Sequence, residues 1–156
     1  MSERASVVSI HVAAAGEGSM VSVDAVRAVP GQGLEGDRYA SGSGTFSNNT
    51  GGGRQVTLIE SEALEALEHD YGINLDRGAS RRNIVTRGVA LNHLVGREFR
   101  IGEATLRGVR LCEPCGHLEK LTHPGVRKGL THRGGLRTDI VSGGLIRAGD
   151  LIDVSS

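Results

Sequence analysis

"EFRIGEATLRGVRL", Glu98 to Leu111, is the stretch on which the fold turns. Phe99 and Ile101 alternate with charged neighbours, Gly102 and Glu103 break the pattern, and Ala104 and Leu106 resume it. Period-two alternation on both sides of a two-residue, glycine-containing break reads as a β-hairpin with one buried face. The same signal recurs along the chain. "SVVSIHVAAA" (6–15) and "SVDAVRAV" (22–29) flank a turn at "GEGSM", and "RQVTLIE" (54–60) and "RRNIVT" (81–86) are rich in β-branched residues. "GGLRTDIVSGGLIRAGDLIDV" (134–154) reads as a closing hairpin over Gly143 and Gly144.

Helical signals are fewer. "SEALEALEHDYG" (61–72) places Ala63, Leu64, Leu67 and Tyr71 on one face, has acids early and ends at Gly72, which predicts a capped helix. Glu62, Glu65 and Glu68 fall on its solvated side. "ALNHLVG" (90–96) reads as a turn or two of helix carrying His93, and Pro114 suits the first turn of a short helix through "CGHLEKL" (115–121). Many short strands with a few short helices predict a mostly β (α+β) fold, a β-barrel with helical insertions, in one domain over 1–156. "SGSGTFSNNTGGG" (41–53) lacks the Lys-Ser/Thr of a phosphate-binding P-loop and reads as a lid-like loop.

Composition excludes several classes. With 24 glycines, 3% aromatic residues and no tryptophan, the composition argues against a stacking platform for single-stranded nucleic acid. No apolar run reaches the roughly 20 residues of a membrane span. With two cysteines and no signal-peptide pattern at the start, a cytoplasmic setting is expected. The zero net charge hides an asymmetry. Residues 1–76 carry four arginines against eleven acids, whereas residues 77–147 carry twelve arginines and two lysines against five acids. A basic second half built of arginine suits a phosphate or carboxylate ligand. No nucleic-acid motif accompanies it, so nucleic acid is not an expected partner.

"RLCEPCGHLEKL" (110–121) holds both cysteines. A thioredoxin-type pair would need Cys112 at a helix start within a βαβ unit, but Pro114 puts that start at Cys115. A zinc site would draw on Cys112, Cys115, His117, His123 and His132, whose spacing is irregular. The third reading is a single thiolate at Cys115, its pKa lowered by helix N-terminal N–H groups and nearby arginines such as Arg110. Cys112, at a strand end, then reads as a small buried residue.

Four blocks in order, "GLEGDRYA", "GGGRQVTLIE", "RRNIVTRGVALNHLVGREFRIGEATLRGVRLCEPC" and "HRGGLRTDIVSGGLIRAGD", resemble the MOSC domain, named for the C-terminal domain of molybdenum cofactor sulfurases. The resemblance runs from about Gly33 to Asp150 and implies a strand-rich barrel. It implies molybdenum cofactor (molybdopterin) chemistry, with Cys115 as persulfide carrier or molybdenum ligand. The chemistry implied is sulfur transfer or reduction of N-hydroxylated compounds. It places Arg81, Arg82, Asn83 and Arg110 at the anionic cofactor. The implied partners are a sulfur donor such as a cysteine desulfurase, or an electron-transfer protein, with a molybdoenzyme as recipient. Pyridoxal phosphate is not expected, since Lys120 and Lys128 lack a Schiff-base context. A non-catalytic storage or delivery module and a zinc-stabilised β domain are the alternatives. His132, beside Arg133, is held as a site-rim residue.

Overall fold

The computed structural model of the chain describes residues 5–13, 21–35, 55–74, 82–112, 125, 129–130 and 133–154. Eleven strands and one α-helix are laid out along these residues, which makes the fold mostly β. They are β1 (Ser6–Val12), β2 (Val21–Val23), β3 (Ala25–Val29), β4 (Gly33–Leu34), β5 (Val56–Glu60), α1 (Ser61–Tyr71), β6 (Ile84–Arg87), β7 (Glu98–Ile101), β8 (Ala104–Leu111), β9 (Leu136–Ser142), β10 (Gly144–Arg147) and β11 (Ile152–Asp153). A short 3-10 helix covers Leu91–Leu94.

The strands form an eight-stranded sheet in the order β11-β7-β8-β9-β5-β6-β1-β2 and a three-stranded sheet, β10-β3-β4. The hairpin at the centre of the sequence pattern is present: β7 pairs with β8 from Glu98↔Arg107 to Ile101↔Ala104, across Gly102 and Glu103. Ile101, Ala104 and Leu106 are fully buried while Arg100 and Arg107 are exposed, as one-sided burial of a pleated strand requires.

One expectation about connections is overturned. The closing segment is not a hairpin: β9 pairs with β5 and β8, whereas β10 crosses to the small sheet and pairs with β3. The corner lies at Gly143 and Gly144, where a Cβ on Gly144 would sit 2.7 Å from the Glu103 carbonyl oxygen. Close backbone approach, and not a turn between paired strands, is what these glycines serve. The chain also contains a parallel pair that the strand pattern did not reveal. β5 and β6 run parallel, with Leu58 beside Ile84, and α1 lies in the crossover between them.

Among the described residues the strands do not close into the expected barrel, and β1 meets the β11 end of the large sheet only through a few bonds. Ser6 bridges Leu151, the Val7 N–H donates to Asp150 O (2.9 Å), and the Gly149 N–H donates to Val7 O (2.8 Å). These bonds tie β1 to the β11 end of the sheet at one point, with no continuous ladder there.

The main core fills the space between the sheets, with Val26, Ala28, Leu34 and Ile146 from the small sheet meeting Ile10, Leu58, Ile84, Phe99, Leu106 and Leu136 from the large one. A second cluster sits on the opposite face, where Ala63, Leu64 and Leu67 of α1 cover Ile59 and Val85. Burying each Leu, Ile or Phe in these clusters contributes about 1.5–3 kcal/mol. The helix ends as its sequence predicts: Gly72 takes φ 67 and its N–H caps Glu68 O at 2.9 Å. Tyr71, expected on the apolar face, is instead 48% exposed.

Candidate functional site

Four of the predicted positions lie in the described chain: Arg82, Asn83, Arg110 and Cys112. Cys115, Arg81, His117, His123, His132 and the 41–53 loop lie outside the described residues.

Register brings the second-half arginines together with Asn83. On β5, β6 and β9 the residues Leu58, Ile84 and Leu136 face the main core, so their neighbours Thr57, Asn83 and Arg137 face the other way. Arg137 is the cross-strand partner of Thr57 on one side and of Arg110 on the other. The Asn83 side chain reaches Thr57 directly. One lateral row, Arg110–Arg137–Thr57–Asn83, thus crosses β8, β9 and β5 and ends at the residue before β6, on the face that also carries α1. Arg137 was not singled out in the sequence, because only pairing register shows that it stands opposite Arg110.

Asn83 is fully buried, and its hydrogen bonds hold the sheet. Its Oδ1 accepts from the Thr57 N–H at 3.1 Å and the Thr57 hydroxyl at 3.2 Å, and its Nδ2 donates to the His11 carbonyl at 3.1 Å. It therefore welds β5, β6 and β1 at one level. Arg82 is 9% exposed. Its Nε donates to Gly134 O at 2.7 Å and its Nη2 to Cys112 O at 3.2 Å. The fork of a buried guanidinium thus joins the end of β8 to the approach to β9. The Cys112 N–H also donates to Gly135 O at 2.7 Å, and Cys112 itself is 2% exposed. Cys115 follows Cys112 by three residues, so the segment carrying the predicted thiolate departs from a point held by Arg82.

Gly135 is required there. It has φ 115, and a Cβ would fall 1.9 Å from Leu58 O, so no side chain fits.

The electrostatics of the row are uneven. Arg107 stands opposite Asp139, but Arg110 stands opposite Arg137. Two arginine positions side by side, next to a register shift between Gly108 and Arg110, are of the kind that suits a shared anion.

Beside this row lies a cavity of about 450 Å³, walled by Glu60, the first turns of α1, the 3-10 helix with His93, and Arg133 with Gly135. The Glu60 Oε2 accepts the Leu91 N–H at 3.1 Å. Burial raises the Glu60 carboxyl above its ordinary pKa, Glu62 adds to the rise, and the Leu91 N–H, Arg133 and His93 oppose it. The sequence places His93 on a short helical turn, whereas nothing in it marks Glu60. Its burial arises only when the 3-10 helix folds over the end of β5. The acids of α1 also divide: the Glu62 Oε2 accepts from the Gly88 N–H at 2.9 Å and Glu65 pairs with Arg87, leaving Glu68 exposed.

No helix among the described residues is long and apolar enough to cross a membrane. Among the described residues no group of three or more metal-ligating side chains comes together.

The fold is shared with solved structures. The YuaD protein from Bacillus subtilis matches with a TM-score of 0.77 and 16% identity over 97% of both chains. YiiM from Geobacillus stearothermophilus matches with a TM-score of 0.75 and 18% identity, covering 97% of this chain and 75% of that one. YiiM from Escherichia coli matches with a TM-score of 0.71 and 18% identity, covering 99% and 70%. Identities this low speak to fold alone. No curated protein matches the chain. The MOSC domain profile, however, matches residues 35–153, well over half of the sequence, and takes in both the arginine row and the segment that leaves Cys112. The chain belongs to the MOSC domain family.

Proposed function

We propose that this protein is a molybdenum-cofactor-associated MOSC protein that works through one reactive cysteine, Cys115. The observation that carries the reading is the directly opposed Arg110 and Arg137 on the face beside the Arg82-held origin of the Cys115 segment. A cationic pair of this kind fits the phosphate of a pterin cofactor, so the donor set agrees with the group. Arg110 and Arg137 would hold the phosphate. Arg82 and Asn83 act behind them, fixing the strands from which these groups project. Arg81 joins the cofactor-binding set on the family resemblance.

When bound, the cofactor supplies a soft metal centre that takes a thiolate or a sulfane sulfur. The chain supplies the anion clamp, the strand frame and the thiol. A sulfur donor or an electron-transfer protein is the partner this chemistry requires, in a cytoplasmic setting. The seam between β1 and the β11 end is the closure point of a MOSC-type barrel in a single domain.

The test is elemental analysis and pterin fluorescence of protein purified from a cofactor-competent host. Molybdenum and pterin should be retained, lost in Cys115→Ser, kept in Cys112→Ser and reduced at least tenfold in Arg137→Gln. Stoichiometric zinc lost equally in both cysteine variants, with no molybdenum, would overturn the proposal in favour of a zinc-stabilised domain.

A further inference from the structure

The anion clamp does not account for the cavity at Glu60, because carboxylates stand among its described lining residues. Among the described residues, Glu60 and Glu62 line it together with Arg133 and His93. Its volume of about 450 Å³ lies within the range of small-molecule sites, roughly 300–1,000 Å³. Ala63 and Ala66 on α1 and Ala90 before the 3-10 helix supply apolar wall.

The Glu60 carboxyl is held by one backbone bond, Leu91 N–H to Oε2 at 3.1 Å. Among the described residues no hydrogen bond reaches its Oε1. A half-buried carboxylate with one fixed oxygen and one open oxygen calls for a compact donor. An ammonium, a point charge with three N–H groups, satisfies such a carboxylate better than a planar fork, which needs both oxygens.

We propose that this cavity binds a small primary ammonium compound with a short apolar body, its nitrogen on Glu60 Oε1 and its body on the alanine wall. The site stands apart from the cofactor reading and uses none of the residues assigned to it. The ligand cation also offsets the mutual repulsion of Glu60 and Glu62. Binding therefore releases the proton that burial tends to keep on Glu60, and affinity falls as the solution is acidified. The groups facing Glu60 set that response: Glu62 from α1, His93 from the 3-10 helix and Arg133 from the approach to β9.

Titration of the full chain with benzylammonium, with benzoate as the anionic near-isostere, tests the assignment by calorimetry or by shifts of the Glu62, Ala66 and His93 amide resonances. Benzylammonium should bind, and benzoate should bind at least tenfold more weakly. Glu60→Gln should weaken benzylammonium at least tenfold, and Ala66→Leu, which fills the cavity without changing its charge, should do the same. Equal or tighter binding of benzoate, no resonance shift with benzylammonium at millimolar concentration, or unchanged affinity in folded Ala66→Leu overturns the proposal. None of these outcomes depends on molybdenum content, so the site and the cofactor reading fail or stand separately.

Discussion

Replacing Asn83 by alanine separates a framing residue from a ligand contact. The side chain is fully buried and makes three hydrogen bonds, to the Thr57 N–H, the Thr57 hydroxyl and the His11 carbonyl. Alanine leaves those groups in the interior without that partner. Each buried polar group left unsatisfied costs about 1–3 kcal/mol. The Thr57 hydroxyl keeps one relation, because its oxygen still accepts the Asn83 N–H at 3.1 Å, so the full sum is not expected. A loss of about 3–5 kcal/mol follows, a large fraction of the roughly 5–15 kcal/mol that holds a domain together. Urea unfolding followed by circular dichroism reads it as a lower midpoint at unchanged slope. Asn83→Asp keeps the acceptor oxygen for Thr57 but loses the donor to His11 and buries a charge, so it should be no better than alanine. The reasoning is refuted if Asn83→Ala costs less than about 1 kcal/mol while cofactor retention falls, for then Asn83 would serve the ligand and not the sheet.

Arg82→Met should cost roughly 2–4 kcal/mol through the orphaned Gly134 and Cys112 carbonyls, and hydrogen exchange at the Cys112 amide should accelerate. Unchanged protection there would show that Arg82 does not hold this strand end. Gly135→Ala should cost more than about 2 kcal/mol, since neither φ 115 nor the 1.9 Å approach to Leu58 O admits a methyl group; an alanine variant of wild-type melting temperature would contradict this. Glu60 holds its proton more tightly in the folded chain than in the unfolded one. Its ionised form therefore costs stability at neutral pH, and that cost is relieved as pH falls through the raised folded value towards the ordinary carboxylate range. Glu60→Gln keeps an oxygen for the Leu91 N–H, so it should match or exceed wild-type stability at pH 7 and flatten the acid-side slope. A variant less stable at pH 7 with the slope intact would reverse that assignment.

The local elements were open to reading because their causes are local. The β7–β8 hairpin follows from alternation around Gly102 and Glu103, and α1 follows from apolar spacing closed by Gly72. The family was also legible, since four ordered blocks survive in the linear text and the MOSC profile covers residues 35–153. What could not be read is whatever depends on which strand lies beside which. The 134–154 segment looks like a hairpin because alternation records facing and not partnership, so the passage of β10 to β3 was hidden. The parallel β5–β6 pair was hidden for the same reason.

The site divides along the same line. Amino-acid order alone determined that the second half is rich in arginine, and it made Arg110, Asn83 and Cys115 candidates. Tertiary structure alone decided that Arg137 faces Arg110, that Asn83 spends its amide on Thr57 and His11, and that Arg82 clamps the Cys112 strand end. It also decided that Glu60 borders a cavity. The physical reason is that residue type and spacing set which way a side chain points from its own strand, while charge pairing, burial and hydrogen-bond partners depend on neighbours distant in the chain, 26 residues away for Thr57 and Asn83 and 72 for Asn83 and His11.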